Sequence, residues 1–197
     1  MAPSPHENVD SSTAAALPRD DKVISIRTYR PEDHAAVIEL FSAGMIYYGQ
    51  FYRHYKQIWV DYVAQSIKED LADIGGTYFA SGGHFWVATA DEDGKEVVVG
   101  MVALEKKPGN EAELRRMSVK SEYRRYGVGK LLINTLEQWA KYSGFDKVWL
   151  STGGPMVQAH KFYQSNGYTY TKTIVAHEDP YFEVFFFEFL ESSRRVL

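Results

Sequence analysis

The sequence predicts an α+β fold, a single mixed and mostly antiparallel sheet flanked by helices. Three observations predict it. Period-two and period-3.6 segments follow one another as strand, two helices, three strands, helix, strand, helix, two strands. The central stretch Glu113–Leu132, ELRRMSVKSEYRRYGVGKLL, passes from a strand through a basic, glycine-containing turn into an amphipathic helix. The 197 residues, 45% hydrophobic and 24% charged, suit one globular domain with a full core. The domain is expected over 21–197. The Pro/Ser/Ala-rich, acidic residues 1–20 read as a flexible tail without a signal core or the arginine pattern of a transit peptide.

Val23–Tyr29 alternates as a first strand. Arg30-Pro31-Glu32-Asp33 opens a helix, with Pro in the first turn and acids at the positive end of the dipole. Ala35, Val37, Ile38, Leu40 and Phe41 form its apolar side, and Gly44 is expected to end it. A ring-dense stretch holding Tyr47, Tyr48, Phe51, Tyr52 and Tyr55 leads to a second helix expected from Trp59 to Ile74. Residues 84–90 and 97–104 flank the turn Asp91–Gly94 as a hairpin, and Ala112–Val119 is the central strand. Val128, Leu131, Leu132, Leu136, Trp139 and Ala140 then recur at helical spacing. Lys147–Thr152 is a fifth strand, and a short helix opens at Gly153-Gly154-Pro155 and runs to Ser165. Tyr168–Val175 and Tyr181–Leu190 close the sheet. Phe182, Phe185, Phe186 and Phe187 put rings on both faces of the last strand, as in a buried strand or a homodimer interface.

Composition removes several classes of function. A net charge of −4 gives a nucleic-acid partner no electrostatic support. No run reaches the ~20 apolar residues of a membrane span, so a cytoplasmic protein without membrane contact is expected. Zero cysteines exclude disulfides, thiolate metal sites and a cysteine nucleophile. No pair of histidines has metal-ligand spacing, and no metal is expected.

A helix N-terminus fed by a glycine turn offers unpaired amides and the positive dipole end, a site for phosphate or pyrophosphate. Arg124, Arg125 and Lys130 add charge there. The Walker pattern fails, with Arg124 at its first glycine and Leu131 at its Ser/Thr. The dinucleotide pattern fails at Leu132. From these residues alone, a plain strand–turn–helix connection with a solvated basic face reads equally well.

Arg124-x-x-Gly127-x-Gly129 resembles the R/Q-x-x-G-x-G/A signature of the GNAT superfamily of acyl-CoA-dependent N-acetyltransferases. Arg27-x-Tyr29-Arg30-Pro31-Glu32-Asp33 resembles the opening of many of its members, and the element order over residues 23–190 is also theirs. Leu114-x-Arg116-Met117-Ser118-Val119 leading to Arg124-x-x-Gly127-Val128-Gly129-Lys130 is similar to the camello-type subgroup. Many of that subgroup carry an apolar membrane segment where this chain has polar, aromatic helices.

The resemblance implies acetyl-CoA as acyl donor and an amine as acceptor: a small amine or amino acid, a polyamine or a protein lysine. It implies that Met117 and Val119, with Ser118 between them, bind the thioester and pantetheine through the backbone. Arg124, Arg125, Tyr126, Gly127, Val128, Gly129 and Lys130 would hold the pyrophosphate, with Thr152 and Gln158 as further cofactor contacts. Tyr163, in Ala159-x-x-x-Tyr163-x-x-x-Gly167, falls where the superfamily places its general acid, and an ordinary phenol is protonated at neutral pH. Glu113 coincides with the general base of histone-type members. Strand alternation would put it on Val119's face, where it could instead pair with Arg115. His84, His160 and His177 are alternative bases. Tyr47, Tyr48 and Tyr52 are expected to line the acceptor wall, although such rings also pack helix pairs. A non-catalytic acyl-CoA-binding or interaction module of the same fold is the alternative.

Overall fold

The computed structural model describes residues 22–190, so the expected tail lies outside the described residues. Along the chain run β1 (Ile24–Thr28), α1 (His34–Phe51), α2 (Lys56–Lys68), β2 (His84–Glu92), β3 (Lys95–Lys107) and β4 (Glu111–Val119). Then come α3 (Val128–Tyr142), β5 (Lys147–Gly153), α4 (Val157–Ser165), β6 (Thr169–Glu178) and β7 (Tyr181–Leu190). The strands form one sheet in the order β1-β2-β3-β4-β5-β7-β6. Only β4 and β5 run parallel; each of the other neighbouring pairs is antiparallel.

Helix α3 covers one face. Val128, Leu132, Ile133, Leu136 and Ala140 are buried along it and join Trp86, Val102, Leu114, Val148 and Leu150 in one core. Burying side chains of this size contributes roughly 1.5–3 kcal/mol each. Leu131, expected on the apolar stripe, is exposed; Ile133 completes the stripe instead. The helix closes with a Schellman motif. Phe145 N–H donates to the Ala140 carbonyl and Gly144 N–H to that of Lys141, with Gly144 at φ 81°.

Helices α1 and α2 cover the other face with Phe41, Trp59, Tyr78, Phe85 and Phe182. Here two expected boundaries are corrected. Gly44 does not end α1; it lies inside the helix, facing Ser118 of β4. The second helix stops at Lys68, short of Ile74. The chain then turns so that Asp70, Leu71 and Ile74 are all buried, and a π-helical turn follows over Gly75–Ala80. The fourth helix begins at Val157, because Gly153 belongs to β5. Strand β7 lies between β5 and β6, which accounts for aromatic residues on both of its faces. Among the described residues no helix is long and apolar enough to cross a membrane.

Candidate functional site

The parallel pair β4–β5 is the discontinuity of the sheet. It is paired only at Glu111↔Lys147, Ala112↔Val148 and Glu113↔Trp149. Beyond that point the strands part, and among the described residues β4 from Leu114 to Val119 has no strand on that edge. Lys120 N–H donates to the Val99 carbonyl of β3 at 2.9 Å. Alternation along the strand therefore turns the amides of Met117 and Val119 toward the opening and that of Ser118 toward β3.

A β-bulge precedes these residues. The β3–β4 register passes from Ala103↔Arg115 to Met101↔Ser118, so one β3 residue faces Arg116 and Met117 together. Arg116 carries the bulge at φ 56°, a left-handed conformation that a side chain disfavours. Sequence alternation placed Glu113 and Val119 on one face, and the bulge overturns that. Met117 and Val119 pack against the α3 core, whereas Arg115 and Arg116 both reach Asp70 after α2. Glu113 lies with them on the α1/α2 side. Its partner is Lys107 at 2.8 Å, not Arg115, which pairs with Glu105 and Asp70.

The loop after β4 is a 3-10 turn over Ser121–Tyr126, and Gly127 at φ 74° redirects it into α3. The first intrahelical bond runs from Leu131 N–H to the Gly127 carbonyl. The amides of Val128, Gly129 and Lys130 are thus left for an anion, beside exposed Arg124, Arg125 and Lys130. A Cβ on Gly129 would sit 3.3 Å from the Phe162 ring, so glycine lets α3 start against α4. Tyr126 is half-buried against Tyr123. Thr152 is buried with its hydroxyl toward Met156 Sδ, and Gln158 is exposed on the first turn of α4.

Tyr163 projects from α4 into the α3-side core, ringed by Phe162, Tyr168 and Phe187. Burial raises its pKa, and the phenols of Tyr48 and Tyr62 add to the rise. Those two phenols come from α1 and α2, so the Tyr163 hydroxyl is near groups of the opposite face. It stays protonated at neutral pH.

The remaining candidates separate. Tyr47 belongs with the anion loop, its ring 5.3 Å from the Arg124 guanidinium carbon. Tyr52 packs on Tyr55 at the far end of α1. His160 Nε2 is 3.0 Å from the Gly153 carbonyl, an acceptor, so that nitrogen carries the proton and cannot take another. His84 is bonded to Thr28 of β1 and lies at a tilt against the rings of Trp86 and Trp139. Tyr62, Asp70 and Arg116 were missed by the sequence reading. Arg116 donates from Nη1 to the Tyr62 hydroxyl at 3.0 Å, and nothing in the helical pattern of α2 marks either partner. Burial raises the Asp70 carboxyl, but hydrogen bonds and charge from Arg116 more than offset this and hold it below the carboxylate range. A cavity of about 900 Å³ runs along α1 from Arg30 to Tyr47 and meets this region only at Val119–Arg124; neither Tyr163 nor Glu113 lines it.

A family profile described as "Acetyltransferase (GNAT) family" matches residues 46–168. N-acetyltransferase 8 of Homo sapiens is 36% identical over 124 residues, which cover 59% of this chain and 52% of that protein. N-acetylaspartate synthetase of Xenopus tropicalis is 34% identical over 143 residues, 72% of this chain and 49% of that protein. The chain thus spans about half the length of these curated relatives. The fold is also similar to that of the PaiA N-acetyltransferase of Thermoplasma acidophilum, solved in complex with coenzyme A. That likeness has a TM-score of 0.60 at 22% identity and covers 86% of this chain and 99% of that one.

Proposed function

The chain belongs to the acetyltransferase (GNAT) family, and on that premise we propose that it transfers the acetyl group of acetyl-CoA to a primary amine by direct attack in a ternary complex. The observation that carries this reading is the open edge of β4, which runs into a glycine turn and a helix N-terminus, with Tyr163 in the same core as Met117 and Val119. The residues fit the donor. The amides of Met117 and Val119 would take the thioester carbonyl. The first-turn amides of α3, with Arg124, Arg125 and Lys130, would take the pyrophosphate. Bound there, acetyl-CoA supplies an activated acyl carbon on a thiol leaving group. A neutral amine nitrogen bonds to that carbon, the carbon–sulfur bond breaks, and the thiolate needs one proton as the nitrogen gives one up.

Tyr163 is the residue we assign to the thiolate proton, because burial keeps its hydroxyl protonated. Glu113 is assigned to the amine proton, through water, from the α1/α2 side. Lys107 holds its carboxylate in place. The two proton roles then fall on opposite faces of the sheet, joined by the gap between β4 and β5. Tyr48 and Tyr62 would line the acceptor side of that gap. Among acceptors, an amino acid draws support from the relative whose name gives N-acetylaspartate as its product.

The test is release of free thiol from acetyl-CoA across a panel of primary amines that includes aspartate, polyamines and lysine peptides. Tyr163→Phe should lower kcat by about 100-fold, with the KM for acetyl-CoA within about threefold of the parent. A Tyr163→Phe, Glu113→Gln double variant turning over at the parent rate would remove both assignments.

A further inference from the structure

Resting on the acyl-transfer reading above, we propose that Asp70 is a positioning residue: acting through Arg116, it holds the β4 bulge that aims the Met117 and Val119 amides into the opening. The bulge is what decides which amides face that way. Without it, period-two alternation would run unbroken from Glu113, and the amides of 117 and 119 would turn toward β3 while that of Ser118 took the opening. Local sequence does not favour the bulge, because its left-handed residue is an arginine and not a glycine.

Tertiary contacts supply the restraint. The Arg116 side chain is 1% exposed and lies against the rings of Phe41 and Tyr62, so its charge must be met inside the protein. Asp70 meets it in a two-point contact, accepting from Nε at 2.8 Å and from Nη2. Tyr78 donates its hydroxyl to the same carboxylate and fixes the rotamer of Asp70. The third guanidinium nitrogen donates to Tyr62 of α2. The guanidinium cannot leave this pocket without taking the two-point partner from a buried carboxylate that Arg115 approaches only to 3.7 Å, and so the backbone at 116 stays left-handed. Asp70 touches none of the reacting atoms; its effect passes through the strand.

The experiment measures the carbonyl, not turnover. The thioester C=O stretch of [1-13C]acetyl-CoA bound to each variant is read by isotope-edited infrared, beside calorimetric titration with CoA and with acetyl-CoA. The parent should shift the stretch to lower frequency. Asp70→Asn should bind CoA within about threefold of the parent, bind acetyl-CoA about tenfold more weakly, and lose the shift. Two double variants isolate the backbone. Asp70→Asn with Arg116→Gly keeps a residue at ease at positive φ and should retain the shift. Asp70→Asn with Arg116→Ala, one methyl larger, should lose it. If Asp70→Asn alone does not fold, this pair decides. A shift that persists in Asp70→Asn, or that both double variants keep or lose alike, overturns the proposal. A parent that binds neither CoA nor acetyl-CoA overturns the acyl-transfer reading instead.

Discussion

The two faces of the sheet are held by different forces. Under α3 the contacts are apolar, Val128, Leu132, Ile133 and Leu136 against Val102, Leu114, Val148 and Leu150, with rings such as Trp86 and Phe187 in the same core. Under α1 and α2 aliphatic and aromatic side chains together enclose buried carboxylates that are paired with arginines. Asp33 takes both Arg27 Nη groups at 2.7 and 2.9 Å, and Asp70 takes Arg116. Dispersion and apolar burial are non-directional, so a truncation loses roughly what it removes plus the cavity. A buried ion pair is directional, and losing one partner strands the other charge. The first kind of face can hold a helix still. The second can also hold a strand in a conformation that its own residues resist, as at Arg116.

The largest effect that would sharpen this contrast is expected at Asp70. Asp70→Ala should cost about 4 kcal/mol in urea unfolding at pH 7, because Arg116 is left charged and buried. The sign of its pH dependence follows from the lowered carboxyl pKa. The contribution is full above the unfolded-state value of about 3.9 and is lost as pH falls through the lower folded value. The gap between parent and variant should therefore narrow in acid. A cost near zero would make the two faces energetically alike.

Leu132→Ala on the α3 face comes next, at about 3 kcal/mol by the same measurement. It should show no such dependence on acid. Should it narrow in step with Asp70→Ala, the distinction between the faces fails.

The smallest effect concerns a titratable pair on the α3 side. Glu137 Oε1 and the Tyr168 hydroxyl are shut from solvent without a well-formed hydrogen bond. Burial pushes the Glu137 carboxyl from 4.5 up to about 7, Tyr168 drawing it only part of the way back. The folded state thus favours the protonated acid. Stability is full below the unfolded value and is lost as pH rises toward the folded one. Glu137→Gln should raise stability by about 1 kcal/mol at pH 8, after allowance for partial solvent screening, and by nothing at pH 4. Thermal melts at the two pH values check this; an equal gain at both would rule out ionisation as the cause.

The sequence by itself determined the parts that obey a period or a local backbone rule. The strands and helices, the turn through Arg124–Gly127–Gly129 and the start of α3 at Val128 were legible because alternation, helical spacing and a left-handed glycine are properties of neighbours in the chain. So was the placing of Tyr163 on a short helix before Gly167. Tertiary structure decided what depends on a distant partner. Gly44 sits inside α1, on the side that faces Ser118 of β4. The second helix stops at Lys68, and just past it Asp70 is buried against Arg116. The bulge reverses the face of Glu113 relative to Val119 because a charge buried 46 positions away along the chain holds Arg116 in place. A residue's neighbours fix its conformational preference. Overriding that preference takes a buried charge, whose desolvation leaves its partner a single place to be.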